Sequence, residues 1–154
     1  MIQWFETKVK YDKTLETGAV KAVPETYLVD ALSFTEAEAR ITQEMEPYVS
    51  GEFLVTAVKK VKLDDVLYCE GGDRWYKVKM NMITIDEKTA AEKKTASLTL
   101  VQASTLEEAL KVFLKSMEGV AFDYEIASVV ETPLMDVFAA NLGQTLADKA
   151  ANNE

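Results

Sequence analysis

The chain contains no histidine, and this absence excludes several kinds of active site at once. Histidine is the commonest general base near neutral pH and the commonest metal ligand in proteins. Catalytic triads of the Ser-His-Asp type and Cys-His pairs therefore cannot be built from these residues. Zinc sites with several Cys or His ligands are excluded as well, because Cys69 is the single cysteine. The sequence predicts no metal and no cofactor.

Disulfides and long apolar segments are missing too. One cysteine cannot form an intrachain disulfide, and its isolation is typical of a reducing compartment. The first residues, MIQWFETKVKYDK, lack the apolar region of a signal peptide. No apolar run approaches the roughly 18 residues that a membrane-spanning helix needs. We therefore expect a cytoplasmic protein that has no membrane partner.

Positive charge is scarce relative to negative charge. The 154 residues include 17 Lys and Arg against 26 Asp and Glu, which gives a net charge of −9. An acidic balance of this size opposes non-specific binding to nucleic acid and to anionic membranes. It leaves room for a local basic patch, because salt screens surface charge over short distances.

What is present is a pattern of alternating strands and striped helices. Apolar residues alternate along several segments, and two helices begin at Ser33 and Ser104, each with a Glu three residues later as in a capping box. Residues 63–68 fit either a continuing strand or a helical turn, and the polar residues 87–95 predict a loop. The predicted strands are 3–11, 25–31, 52–62, 74–86, 96–103 and 120–130, and a third helix is predicted over 133–150.

This order predicts an α+β fold in a single domain, residues 1–154. Two pseudo-repeated ββαβ units, about 1–70 and 71–138, would form antiparallel sheets with the helices packed on one face, followed by the C-terminal helix. The halves match at a spacing near 71 residues, which places Trp4 on Trp75 and Lys8 on Lys79. Any two capped helices preceded by strands also look alike, so the sequence leaves true duplication open.

Two predicted strands carry a tryptophan and lysines on one face. A sheet face with aromatic rings between cations is typical of single-strand nucleic-acid binders, in which rings stack on bases and lysines contact phosphates. The competing interpretation is an ordinary solvated strand face whose tryptophans pack under a loop. The candidate ligand-binding residues are Trp4, Lys8 and Lys10 in the first strand, and Trp75, Lys77 and Lys79 in the fourth.

An enzyme that works without histidine is the alternative. Acidic residues concentrate between the third and fourth strands, beside Tyr68, and carboxylates can act as general acids and bases. Their spacing matches no calcium-binding loop, and the Gly-Gly-Asp segment among them is typical of a turn. The acidic residues are Asp64, Asp65, Glu70 and Asp73. We favour a non-enzymatic binding module whose partner is a protein or single-stranded nucleic acid.

The predicted C-terminal helix, 133–150, has a narrow apolar stripe and several alanines. Such a stripe suits either a helix that covers its own sheet or one that docks on a second copy. A homodimer through this helix is therefore one of two roles that the sequence leaves open.

Two stretches, WFETKVKYDKTLE and ETYLVDALSFTEAEARI, resemble a family of short uncharacterised proteins from gut anaerobic bacteria and their mobile elements. The resemblance runs over most of the chain and is most distinctive at YLVDALSFTEAEARI. That family is a domain of unknown function. The resemblance therefore implies an origin and a size, and it assigns no functional residues.

Overall fold

A computed structural model describes residues 3–139 of the chain. The described residues divide into two compact units, unit 1 with residues 3–61 and 134–139, and unit 2 with residues 62–133. The described part is mostly sheet with two helices, so it agrees with an α+β class in the broad sense. Its elements are β1 (Gln3–Thr14), β2 (Val20–Ala31), α1 (Phe34–Met45), β3 (Phe53–Val61), β4 (Asp65–Leu67), β5 (Arg74–Ile85), β6 (Glu92–Ala103), α2 (Leu106–Ser116), β7 (Asp123–Glu131) and β8 (Leu134–Phe138).

Unit 1 is a four-stranded sheet with α1 packed on one face. The strand order is β3-β1-β2-β8; β1 is antiparallel to β2 and β3, whereas β8 runs parallel to β2. Because side chains alternate along a strand, Phe5 and Val9 share the face toward the helix. They form a buried cluster with Ile41 and Met45 of α1. The predicted N-cap is confirmed, since the Ser33 hydroxyl accepts a hydrogen bond from the Glu36 amide.

Unit 2 has a sheet of order β7-β5-β6-β4, with α2 on one face. Val78 of β5 and Phe113 of α2 belong to its buried cluster. The cap of α2 is Thr105, whose hydroxyl accepts from the Glu108 amide at 3.1 Å. The predicted cap at Ser104 is wrong by one residue, because the Ser104 hydroxyl instead donates to the Gly71 carbonyl.

The predicted C-terminal helix is wrong over residues 134–138, which form β8. Apolar residues spaced by four suggested a helix, but the side of β2 opposite β1 offers backbone partners that favour an extended segment. Val137 lies opposite Leu28 in this parallel pairing. Sheet formation depends on such tertiary context more than helix formation does. The rest of the predicted helix, and with it most of the predicted homodimer contact, lies outside the described residues.

Two segments between the predicted strands also differ from what the sequence predicted. Residues 65–67 are neither a continuation of β3 nor a helical turn; they form β4, which runs parallel to β6. The predicted loop 87–95 is shorter than expected, since its residues 92–95 belong to β6, which begins at Glu92 and pairs along its full length with β5. Neither helix in residues 3–139 is long and apolar enough to cross a bilayer.

The short strands β4 and β8 follow an unusual path through the chain. The strand that follows β3 joins the sheet of unit 2, and the strand that follows β7 joins the sheet of unit 1. Unit 1 is therefore completed by residues that come after the whole of unit 2. The compact units divide the chain after residues 61 and 133, whereas the predicted repeats meet at residue 70.

We expect β8 to be necessary for the stability of unit 1. Phe138 stacks on the buried Tyr27 at a centroid distance of 5.5 Å, and Val137 is buried beside it. A chain that ends after Pro133 should lose about 3 kcal/mol of unfolding free energy relative to one that ends after Ala139, because two apolar side chains leave the core. Urea denaturation followed by circular dichroism measures the difference. Equal unfolding midpoints for the two chains would contradict this role.

Candidate functional site

The lysines predicted to bind a ligand all lie on one face of their strands and point away from the helix. Phe5 and Val9 of β1 face α1, so Lys8 and Lys10 project from the opposite face, together with Trp4. In β5, the same alternation places Lys77, Lys79 and Trp75 opposite the helix face. All four lysines are exposed. The structure places the two sets in separate units, one on each sheet.

The two tryptophans differ in burial. Trp75 is only 2% exposed, because the ring of Tyr68 packs edge-on against its indole at 5.5 Å. A ring that stacks on bases needs an open face, so Trp75 does not meet the requirement of the predicted binding face. Trp4 is partly buried and retains some exposed surface.

Unit 1 adds a cation that the sequence analysis missed. In the pairing of β1 with β3, Lys59 lies opposite Glu6 and therefore projects from the same face as Lys8 and Lys10. We call these three exposed lysines the lysine patch. Within residues 3–139, none of them has a carboxylate oxygen within 4 Å. The neighbouring Lys60 lies opposite Phe5 and so belongs to the other face of the sheet.

The acidic residues of the alternative enzyme hypothesis do not converge on one point. Asp64 accepts a hydrogen bond from the Leu98 amide, and Asp65 accepts one from the Val66 amide, both at 2.8 Å. Glu70 and the other acidic residues of this segment are exposed. Across the part of the chain that the structure describes, no three Cys, Asp or Glu side chains are grouped so as to hold a metal ion. Asp64 and Asp65 therefore bind backbone amides, and the group does not form a catalytic or metal-binding cluster.

Cys69 has the environment of an unreactive thiol. Its sulfur lies 3.6 Å from a carboxylate oxygen of Glu108. Burial raises the pKa of the thiol, and the hydrogen bond to Glu108 and the charge of that residue raise it further. The thiolate is the nucleophilic form, so this site disfavours nucleophilic chemistry at neutral pH.

A carboxylate between two phenols is a feature that sequence reasoning missed. The hydroxyl of Tyr27 donates to Glu25 at 3.3 Å, and the phenol of Tyr11 lies near enough to this carboxylate for its pKa to be raised by it. The hydrogen bond to Glu25, burial and the charge of Glu25 raise the pKa of Tyr11 to about 12. Burial, followed by the charge of Glu25, raises the pKa of Tyr27 as well. The only signal in the sequence was the spacing of Glu25 and Tyr27, which places both on one face of β2.

Tyr11 also lines an open groove of about 800 Å³ in unit 1. The start of β3 provides apolar lining, including Phe53 and Leu54, and α1 contributes Glu38. The turn after the helix adds Glu46. The groove is therefore partly apolar and partly acidic, and it lies beside the β3 edge of the sheet.

Comparison with known protein families identifies the family of the chain. A family model described as a domain of unknown function, DUF4494, matches residues 3–140. The chain belongs to the DUF4494 family. No curated protein and no solved structure matches it. The DUF4494 match spans every strand and helix described above and carries no activity with it, so the function has to be argued from the surfaces of the two units.

Replacing Glu25 by Gln should lower the pKa of Tyr11 from about 12 toward its usual value of 10, because the carboxylate charge is removed. A tyrosine whose pKa is raised by folding stabilises the fold fully below pH 10 and loses that contribution as the pH rises toward 12. Native stability should therefore fall across this window less steeply in Glu25→Gln. Ultraviolet absorbance of tyrosinate measures the titration, and urea unfolding across the window measures the stability.

Glu87→Gln is the matched control, since Glu87 is exposed in the turn between β5 and β6. If Glu25→Gln and Glu87→Gln give the same tyrosine titration curve, the carboxylate between the two phenols does not raise the pKa of Tyr11.

Proposed function

We propose that this DUF4494 chain is a non-enzymatic binding module that holds single-stranded nucleic acid through the lysine patch. The observation that carries the proposal is the patch itself: Lys8, Lys10 and Lys59 are exposed on adjacent strands, with no carboxylate within 4 Å among the described residues. Lysines on neighbouring strands can contact consecutive phosphates of a flexible strand.

The arrangement favours electrostatic contact over base stacking. Lys8 and Lys10 are about 7 Å apart along β1, as expected for residues two positions apart in a strand. Trp4 is the one indole of the predicted face that keeps exposed surface. Lys77 and Lys79 supply a second, smaller cationic face in unit 2. Because the net charge is −9, binding should be confined to these faces and should weaken steeply with salt.

A cytoplasmic location is part of the proposal.

The double variant Lys8→Gln, Lys59→Gln should weaken binding of a fluorescein-labelled oligothymidylate. It leaves Lys10, which also lines the groove, in place. Each lost phosphate contact makes the slope of log affinity against log salt concentration less steep by about 0.7. The slope for the double variant should therefore be less steep than that of wild type by roughly 1.4. Fluorescence anisotropy at several salt concentrations measures both quantities.

The control is Lys111→Gln, Lys115→Gln, which removes the same charge from exposed positions of unit 2. Binding should be unchanged in this variant. If wild-type protein does not bind the oligonucleotide at low salt, or if the control loses as much affinity as the patch variant, the proposal is wrong.

We also propose that the two units are copies of one module that exchange their last strands. Irregular features recur at corresponding places. The pairing of β1 with β3 shifts register between Lys8 and Val9, and the pairing of β5 with β7 shifts between Lys79 and Met80. A β-bulge is costly to place at random and tends to be kept in related structures. A matching pair of bulges therefore supports common origin.

The short parallel strands support the same correspondence. Asp65 of β4 pairs with Thr99, and Asp136 of β8 pairs with Tyr27. Each of these aspartates accepts a hydrogen bond from the amide of the next residue at 2.8 Å. Under this correspondence, β4 and β8 occupy the same position in the two sheets.

Under this correspondence, a single residue that differs between the two units accounts for the different burial of the two tryptophans. The residue directly after β4 is Tyr68, which covers Trp75, whereas the residue directly after β8 is Ala139. Trp4, the counterpart of Trp75, therefore lacks a phenol ring at the corresponding place. Alanine is too small to cover an indole.

Exchanging these residues should exchange the exposure of the indoles. In a Trp4→Phe background, Tyr68→Ala should make Trp75 more accessible to acrylamide. In a Trp75→Phe background, Ala139→Tyr should make Trp4 less accessible. Fluorescence quenching measures both changes. Tyr48→Ala, at a tyrosine that is 71% exposed, is the control and should change neither. Unchanged quenching of Trp4 in Ala139→Tyr would show that the two positions are not equivalent.

A further inference from the structure

The groove of unit 1 lies where three elements approach one another. Tyr11 comes from β1, Glu38 from α1, and Phe53 and Leu54 from the start of β3. Leu54 is 68% exposed, so the groove has an uncovered apolar wall. Its volume of about 800 Å³ is in the range of sites that hold a ligand or a short peptide segment.

One side of the groove is the edge of a sheet. Among the described strands, β3 pairs only with β1, so one side of its backbone has no neighbouring strand. The register of β1 with β3 shifts opposite Lys8 and Val9 and leaves Thr56 without a paired residue in β1, so this bulge divides the edge into Phe53–Val55 and Ala57–Val61. Phe53–Val55 is the part of the free edge that lines the groove. An extended peptide can add to a short free edge of this kind.

The negative charge of the groove indicates what kind of peptide it can bind. Its lining contains four carboxylates, those of Asp12, Glu38, Glu46 and Glu52, against one ammonium, that of Lys10. In the structure of residues 3–139, none of the four carboxylates has a cationic partner within 4 Å. A concave surface with uncompensated charge of one sign concentrates ligands of the opposite sign.

We propose that the groove binds an extended basic segment of a partner protein, which adds as a strand to the edge of β3 at Phe53–Val55. Alternate side chains of the added strand point to opposite faces of the sheet. On the helix side, lysine or arginine meets Glu38 and Glu46. On the other side, an apolar residue meets the exposed Leu54. The recognised chemistry is thus a short segment in which basic and apolar residues alternate.

This site shares Lys10 with the lysine patch but is opposite to it in charge. The carboxylates repel phosphates, so the groove does not extend the lysine patch for an oligonucleotide. Variants at Glu38 and Glu46 leave Lys8 and Lys59 in place, so failure of one proposal is distinguishable from failure of the other.

The test uses the full chain and a short fluorescein-labelled peptide in which lysine and valine alternate. Fluorescence anisotropy should show saturable binding that weakens with salt. The variant Glu38→Gln, Glu46→Gln should bind about tenfold more weakly, whereas Glu107→Gln, Glu118→Gln, which removes the same charge from exposed positions of unit 2, should bind like wild type. The same peptide with alternate backbone nitrogens methylated keeps its charge but loses strand hydrogen bonds, and it should also bind about tenfold more weakly.

Three results would overturn the proposal. The peptide could fail to bind at low salt at concentrations up to about 1 mM. The methylated and unmethylated peptides could bind equally, which would mean that charge alone attracts the peptide and that no strand is added. The unit 2 variant could lose as much affinity as the groove variant, which would place the contact elsewhere. Oligonucleotide binding by the groove variant, measured in parallel, should be at least as strong as that of wild type, because the carboxylates that it lacks repel phosphates.

Discussion

The structure depends on two short parallel strands that complete the sheets. Without β8, one side of β2 would be a free edge, and without β4 the same would hold for β6. Free backbone groups at a sheet edge attract other strands and lack partners of their own. In unit 1 the completing strand also supplies Phe138, which stacks on Tyr27. Because β8 follows unit 2 in the chain, the sheet of unit 1 is incomplete until almost all of the described chain has been synthesised.

Features that depend on residues close together in the chain could be predicted from the sequence. Alternation in residues 3–11 and 74–86 predicted which side chains of β1 and β5 face the core, because side chains alternate strictly along a strand. The cap at Ser33 was readable because both partners lie within four residues of each other. At α2 the neighbouring Ser104 and Thr105 both fit a cap, and only the contact of Ser104 with Gly71 decides between them.

Features that depend on distant partners could not be predicted in this way. Residues 134–138 carry apolar spacing that suits a helix, and they are extended because β2 offers hydrogen bonds more than a hundred residues earlier in the chain. The burial of Trp75 depends on Tyr68, which follows a three-residue strand too short to recognise by periodicity. Lys59 joined the lysine patch through a register that a bulge sets. In each case the deciding contact lies across strands, where sequence spacing gives no measure of distance.

Unit 1 combines surfaces of opposite charge, and β1 contributes to both. Lys8 and Lys10 project from the face away from α1, and Lys10 and Tyr11 also line the acidic groove. The acidic groove therefore begins where the lysine patch ends, at Lys10. Salt at physiological strength screens exposed charges beyond about 8 Å, so a ligand at either surface responds to the charges beside it more than to the net charge of the chain. A net charge of −9 thus describes solubility, whereas recognition is decided by which side of β1 a ligand approaches.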